Sequence, residues 1–298
     1  MYCDLRCVHQ SVRDLNDQCK DLYDPNNSTT SFVPKQLIPY YAQFPNYVEV
    51  VGHRLFDDVR LKDPRISIKN ASFIGTTFRL SRSFMHVTIG LAPSTQRAYM
   101  GLIEQAYKQN LIPQPMISFS TDDNHASIMI MGDYDQDNCE QWQFFPSLYD
   151  DRWVFRLDSI SIGGLNFSGH KNNGYKIYFN SFDQNTHIQL PDEIVDQMIQ
   201  NNIVNETNAD GLTTTLSDLS ISFTINGHVY ALPYTFLCLL ISTRTHECVT
   251  IFKRAPPIRL TEEPSVSFSD YLLSSPICLA FQYDNMQIGI GVNKNIWL

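Results

Sequence analysis

The run from Asp151 to Pro191, DRWVFRLDSISIGGLNFSGHKNNGYKIYFNSFDQNTHIQLP, constrains the fold more than any other part of the chain. Apolar side chains recur there at 153, 155, 157, 160 and 162. A step of two is the repeat of a half-buried strand, and the single step of three marks one irregularity in it. Gly163-Gly164 then supplies a turn, and Tyr175-Lys-Ile-Tyr-Phe179 reads as a second strand. A polar stretch, Asn180 to Gln189, follows and stops at Leu190-Pro191. Proline suits the first helical position and Asp192 and Glu193 suit the first turn. A short amphipathic helix is therefore predicted, carrying Ile194, Val195, Met198 and Ile199.

Strand signals dominate the rest. Leu219 to Pro233 is the clearest hairpin, with two alternating runs around Asn226-Gly227, a pair that favours a type I′ turn. Short strands are read at 57–61 and 66–68, and an aromatic-rich hairpin at 36–52. Phe236 to Ile241, the longest fully apolar run, reads as a buried strand; a membrane-spanning helix needs about 20 such residues. Residues 1–24 and 201–210 read as polar loops. The most convincing helix is Ala98 to Gln109, where Tyr99, Leu102, Ile103 and Ala106 form one stripe and Asn110 ends it. The expectation is an all-β protein with a few short helices.

A length of 298 residues points to two domains. The formal charge is −9 and no basic stripe occurs, which argues against nucleic acid or an anionic membrane as partner. Seven cysteines include no Cys-x-x-Cys and no spacing with histidine that suits zinc, so disulfides are preferred, without a defined pairing. Sequons at Asn26, Asn27, Asn70, Asn166 and Asn205 permit glycosylation. Asp133, Asp135 and Asp137 have the opening spacing of a calcium loop. Asn138 stands where the sharp turn needs glycine and Phe144 where the distal Glu belongs, so a solvated acidic loop is expected. Gly289-Ile-Gly291 lacks the third glycine and the helix of a dinucleotide fingerprint. No cofactor and no metal is expected.

Leu157-x-x-Ile160-x-Ile162-x-Gly164, followed by a second strand and then Pro191, resembles the start of the C-terminal lobe of the pepsin-like aspartic proteases. Other stretches resemble that family in the same order. They are Tyr23-Asp-Pro25 through Thr30; the 36–52 hairpin at the place of the flap; Ile89-Gly-Leu91; 116–120 and 127–132 as its next two strands and 141–146 as the strand that closes the first lobe; the Phe223 to Pro233 hairpin; and Phe281 to Gly291 as the closing strand. The resemblance covers roughly residues 20–292. It implies a bilobal pepsin-like fold, lobes at 1–150 and 151–298, and a cleft between them that takes peptide or protein. It also implies a monomer bound for the secretory pathway, extracellular or vacuolar and lysosomal. Met1-Tyr-Cys-Asp-Leu-Arg-Cys7 has no apolar core of a signal peptide, so either the protein stays in the cytoplasm or its natural start lies upstream; the cysteine-dense opening favours the second, and the resemblance implies that the first lobe lacks its opening strands.

The family's chemistry needs two carboxylates sharing one proton over a water. Each comes from an Asp-Thr-Gly or Asp-Ser-Gly, and neither tripeptide occurs in the 298 residues. Counting back from Pro191 places Phe182 at the second aspartate, and one deletion places Asp183 there instead. Asp183 is thus the one catalytic candidate, and Tyr40 and Tyr41 are the candidates for the substrate-holding flap tyrosine. The leading expectation is a catalytically inactive homologue with a binding cleft. The alternatives are an active endopeptidase whose first aspartate lies upstream, and a partner-binding or inhibitory protein that uses an outer surface.

Overall fold

The computed structural model describes residues 2–4, 28–32, 39–44, 48–61, 66–79, 91–93, 100–122, 127–169, 174–179, 188–206, 211–215, 219–232, 234–241, 248–255, 265–268 and 276–294. The chain divides into two compact units, Met1–Pro115 and Met116–Leu298. Both are built mainly from strands, as the alternating patterns predict.

In the first unit, β1 (Tyr2–Asp4), β2 (Pro39–Phe44), β3 (Val48–Leu61) and β4 (Ile66–Arg79) form one sheet in the order β1-β4-β3-β2. The hairpin predicted over 36–52 is the β2–β3 pair, while the strands predicted at 57–61 and 66–68 are parts of two 14-residue strands. Helix α1 (Leu102–Lys108) buries Leu102, Ile103 and Ala106, and Asn110 ends it with φ of 56°. Gln105 is buried too, against the stripe's polarity. Its amide accepts from Ser72 N–H (2.7 Å) and donates to the carbonyls of Ser72 (3.0 Å) and Met100 (2.8 Å), so it completes the backbone bonding of β4. Residues 28–32 dock on β3: Phe32 pairs with Phe56 through the backbone, and the Thr30 hydroxyl donates to the buried Asp57 carboxylate.

The second unit begins with β5 (Met116–Thr121), β6 (Ser127–Met131) and β7 (Cys139–Pro146). Then come β8 (Val154–Leu157), β9 (Ser159–Ile162), β10 (Leu165–Phe167), β11 (Tyr175–Phe179) and β12 (Ile188–Leu190). Helix α2 (Asp192–Gln200) follows Pro191, which is its N-cap, and buries Ile194, Val195 and Met198. Next are β13 (Asn205–Glu206), β14 (Leu212–Thr214), β15 (Ile221–Ile225) and β16 (His228–Leu232). The chain closes with α3 (Tyr234–Leu237), β17 (Cys238–Ile241), β18 (Cys248–Thr250), β19 (Phe252–Arg254), β20 (Ser265–Phe268), β21 (Ile277–Gln282) and β22 (Gln287–Asn293). Four sheets result, ordered β6-β5-β21-β22-β7, β10-β9-β15-β16, β19-β12-β20-β11-β8 and β13-β14-β18-β17.

The irregular step in the 153–162 pattern has a structural cause. β8 and β9 belong to different sheets, and exposed Asp158 is the corner between them, its N–H donating to Thr224 C=O at 2.8 Å. The β15–β16 hairpin has its two-residue turn at Asn226 (φ 49°) and Gly227 (φ 79°), the positive pair that type I′ requires. Three readings change. The apolar run 236–241 is not all strand, since Phe236 and Leu237 finish a helical turn before β17. The 201–210 stretch buries Ile203 and Val204 and contains β13. Phe281 to Gly291 is two antiparallel strands around a turn, not one.

Candidate functional site

β11 leads to the region that the sequence singles out. It lies between β8, antiparallel to it (Tyr175 opposite Leu157), and β20, parallel to it (Phe179 opposite Phe268). β12 sits on the far side of β20 and runs antiparallel to it, with Gln189 opposite Ser267. The chain therefore leaves the sheet at Phe179 on one side of β20 and re-enters at Ile188 on the other. Asp183 belongs to that connection and lies outside the described residues. Tyr40 and Tyr41 are placed by register on β2, opposite Gly52 and Val51 of β3. No described contact brings the three candidates together.

The strand that carries this connection is pinned along its length by its own alternation. Tyr175 and Ile177 are buried. The Tyr175 hydroxyl donates to Glu193 of α2 at 3.0 Å, and burial together with the Glu193 charge raises its pKa well above the usual tyrosine range. On the other side Lys176 Nζ donates to the Tyr149 hydroxyl at 2.7 Å. Arg152, held by Asp151 through two bonds of 2.8 Å, lies 5.3 Å from the Tyr149 ring centre. Burial, and then Tyr149, raise the Tyr178 phenol.

At the end of β11, Phe179 is the hub of an aromatic cluster. Its ring centre lies 5.7 Å from Phe155, 6.1 Å from Phe268 and 5.3 Å from Phe281. Phe223 lies 5.0 Å from Phe268, and Trp153 lies 5.2 Å from Phe281. Each such pair contributes about 0.5–1.5 kcal/mol beyond its burial. Between these rings is a small apolar cavity of about 20 Å³, lined by Phe155, Phe179, Phe223, Phe268, Tyr230 and isoleucines of the neighbouring strands. The Tyr230 hydroxyl is buried without a hydrogen-bond partner, and burial pushes its pKa up to about 12. Near neutral pH this hydroxyl stays protonated, and the other lining side chains do not titrate. The described part of the site is thus an apolar aromatic cluster at the end of β11.

The acidic loop after β6 departs from its reading as solvated. Asp135 is 1 % exposed. It accepts from the Ser120 hydroxyl, from the backbone N–H of Asp137 (3.0 Å) and Asn138 (2.9 Å), and from Asn138 Nδ2 (2.9 Å). Burial opposes its ionisation, but the Ser120 bond and then those from Asn138 and Asp137 outweigh it and hold the carboxyl below its ordinary value. Among the described residues no three His, Cys, Asp or Glu side chains are placed to hold a metal ion. Gly289 and Gly291 serve packing: a Cβ on them would stand 2.7 Å from the Phe144 ring and 2.9 Å from the Trp142 ring.

Two disulfides close within the second unit, Cys139–Cys278 and Cys238–Cys248. No helix among the described residues is long and apolar enough to cross a membrane. Comparison with protein-family models and with curated proteins finds no match to this chain.

Proposed function

We propose that the chain is a catalytically inactive homologue of the pepsin-like aspartic proteases, with lobes at 1–150 and 151–298 and a cleft that binds a peptide or protein segment. The observation that carries this reading is the sequence order of features in the second unit. The Leu157-x-x-Ile160-x-Ile162-x-Gly164 motif spans a sheet corner and a tight turn; β11 follows, then the connection to β12 and Pro191, a helix, and the Asn226-Gly227 hairpin. That is the order in which the family's motifs occur. Inactivity is supported by composition: with neither Asp-Thr-Gly nor Asp-Ser-Gly in the 298 residues, the shared-proton pair has no pair of motifs to hold it.

The purified chain, incubated with unfolded protein at about pH 4, where a working dyad holds one proton, is expected to release no peptides. Cleavage that pepstatin blocks would overturn the proposal. The competing enzyme reading has one observation in its favour: Asp183 falls in the connection directly after β11. That reading requires Asp183→Asn to abolish any such cleavage.

A further inference from the structure

The charge of the chain is unevenly placed. Between Lys108 and Arg152 there is no Lys or Arg, while eight Asp or Glu residues fall in that interval. Within it lies β6, Ser-Ile-Met-Ile-Met, an edge strand of the sheet β6-β5-β21-β22-β7. The other edge, β7, is guarded against further pairing. It carries Glu140, a register shift with Gln141 at φ 53°, and a terminal Pro146. β6 has none of these, and its register with β5 is continuous from Ile117 opposite Met131 to Thr121 opposite Ser127.

The direction of its free backbone groups follows from one bond. Gly132 N–H donates to Met116 C=O at 2.7 Å, so positions 116 and 132 form a hydrogen-bonded pair. Bonded pairs alternate in an antiparallel ladder, which makes 118 with 130 and 120 with 128 the next ones. The N–H and C=O groups of Ser127, Met129 and Met131 then point away from β5, to a side where no described strand pairs. Ser127 is exposed, Met129 is 39 % exposed, Ile128 and Ile130 are half-buried, and Met131, at the far end of the strand, is buried. An accessible, uncharged edge of this kind is a template for one more strand.

We propose that the β6 edge docks an extended cationic segment of a partner polypeptide, which adds as a strand beside Ser127–Met131. The charge distribution selects this occupant. A second copy of the chain would bring another net charge of −9 and the same acidic interval to the edge, and like charges facing each other oppose association. Asp122 ends the turn side of β5, and Asp133 follows β6 by two residues. Lys or Arg near both ends of the added segment meets these acids, and β-branched residues between them pack beside Met129 and the isoleucines.

The test uses the full 298-residue chain and a C-terminally amidated peptide, Lys-Thr-Val-Thr-Val-Thr-Lys, labelled with the zwitterionic dye tetramethylrhodamine and read by fluorescence anisotropy. Saturable binding is expected, weakened several-fold by added salt. A control peptide of equal charge, with proline at every position between the two lysines, has no inner N–H to donate to the ladder in any register and is expected to bind at least about tenfold more weakly. Met129→Pro removes an outward N–H while leaving the β5 ladder intact, and is expected to cost about tenfold as well. Met129→Lys keeps the backbone groups and adds a repelling charge; it is expected to weaken binding several-fold and decides the matter if the proline variant unfolds. The proposal is overturned by absence of saturable binding, or by equal binding of the proline peptide, which would mean charge alone. It also fails if the folded Met129 variants bind like the parent, placing the peptide elsewhere, including in a cleft. A peptide-free dimer, seen by sedimentation and lost in Met129→Lys, would make a second copy the occupant instead.

Discussion

Asp135 shows how much one buried carboxylate can organise. Four donors converge on it from Ser120, Asp137 and Asn138, and they fix the 133–138 loop against β5. Hydrogen bonds to a charged group contribute about 1.5–3 kcal/mol each in favourable cases, and loss of the charge leaves several donors under-satisfied. Asp135→Asn is therefore expected to lower stability by about 1–3 kcal/mol at neutral pH, measured by urea unfolding. The sign of its pH dependence follows from the lowered folded-state pKa. The carboxylate's contribution is complete above the unfolded value of about 3.9 and is lost as pH falls through the lower folded value. The gap between parent and variant should close over that acid window; a gap that stays constant would show that the charge contributes nothing.

At the scale of elements, local pattern and tertiary contact divide the work. The Asn226-Gly227 hairpin and the Asp158 corner are written in periodicity and turn chemistry. The position of α2 is not. Arg254 of β19 bonds Glu206 of β13 (3.0 Å) and both Asp192 (3.0 Å) and Asp196 (2.7 Å) of α2. Glu206 first, and then the aspartates, hold its proton more tightly than usual. All three carboxylates are about half exposed or more, so each pair is screened and contributes only about 0.2–1 kcal/mol. A flat fork reaches three partners where an ammonium cannot. Arg254→Lys should lower stability by about 1 kcal/mol in dilute buffer, and the difference should shrink in 1 M salt, where the screening length is about 3 Å. A loss that salt does not change would point to packing of the Arg stem instead.

For the whole molecule the longest constraint is Cys139–Cys278. It joins β7 to β21 in one sheet, across the intervening β22, and both cysteines are buried. The bridge closes a separation of 139 residues. In the chain-entropy account a loop of that size stabilises by about 5 kcal/mol, with native disulfides commonly giving about 2–5. The double variant Cys139→Ala/Cys278→Ala should lose that much in denaturant unfolding. Cys238–Cys248, spanning 10 residues between paired strands, should matter less. Equal effects from the two bridges would rule out loop entropy as the main term.

Strand, turn and helix identity was largely legible in the chain itself, because a side-chain period of two, a glycine at positive φ and a charged first turn act within a few residues of their own positions. The predicted hairpin at 226–227, the stop at Asn110 and the helix after Pro191 are all of this kind. What joins to what was decided only by tertiary contact. Nothing near 116–146 in sequence announces that β5 and β7 pair with β21 and β22, more than a hundred residues on. The same holds for the candidate site: the two-strand frame before Asp183 could be read, but Phe179 as an aromatic hub, Tyr230 as a buried unpartnered hydroxyl and Asp135 as an inward carboxylate could not. Burial depends on partners distant in sequence, and no local period records them.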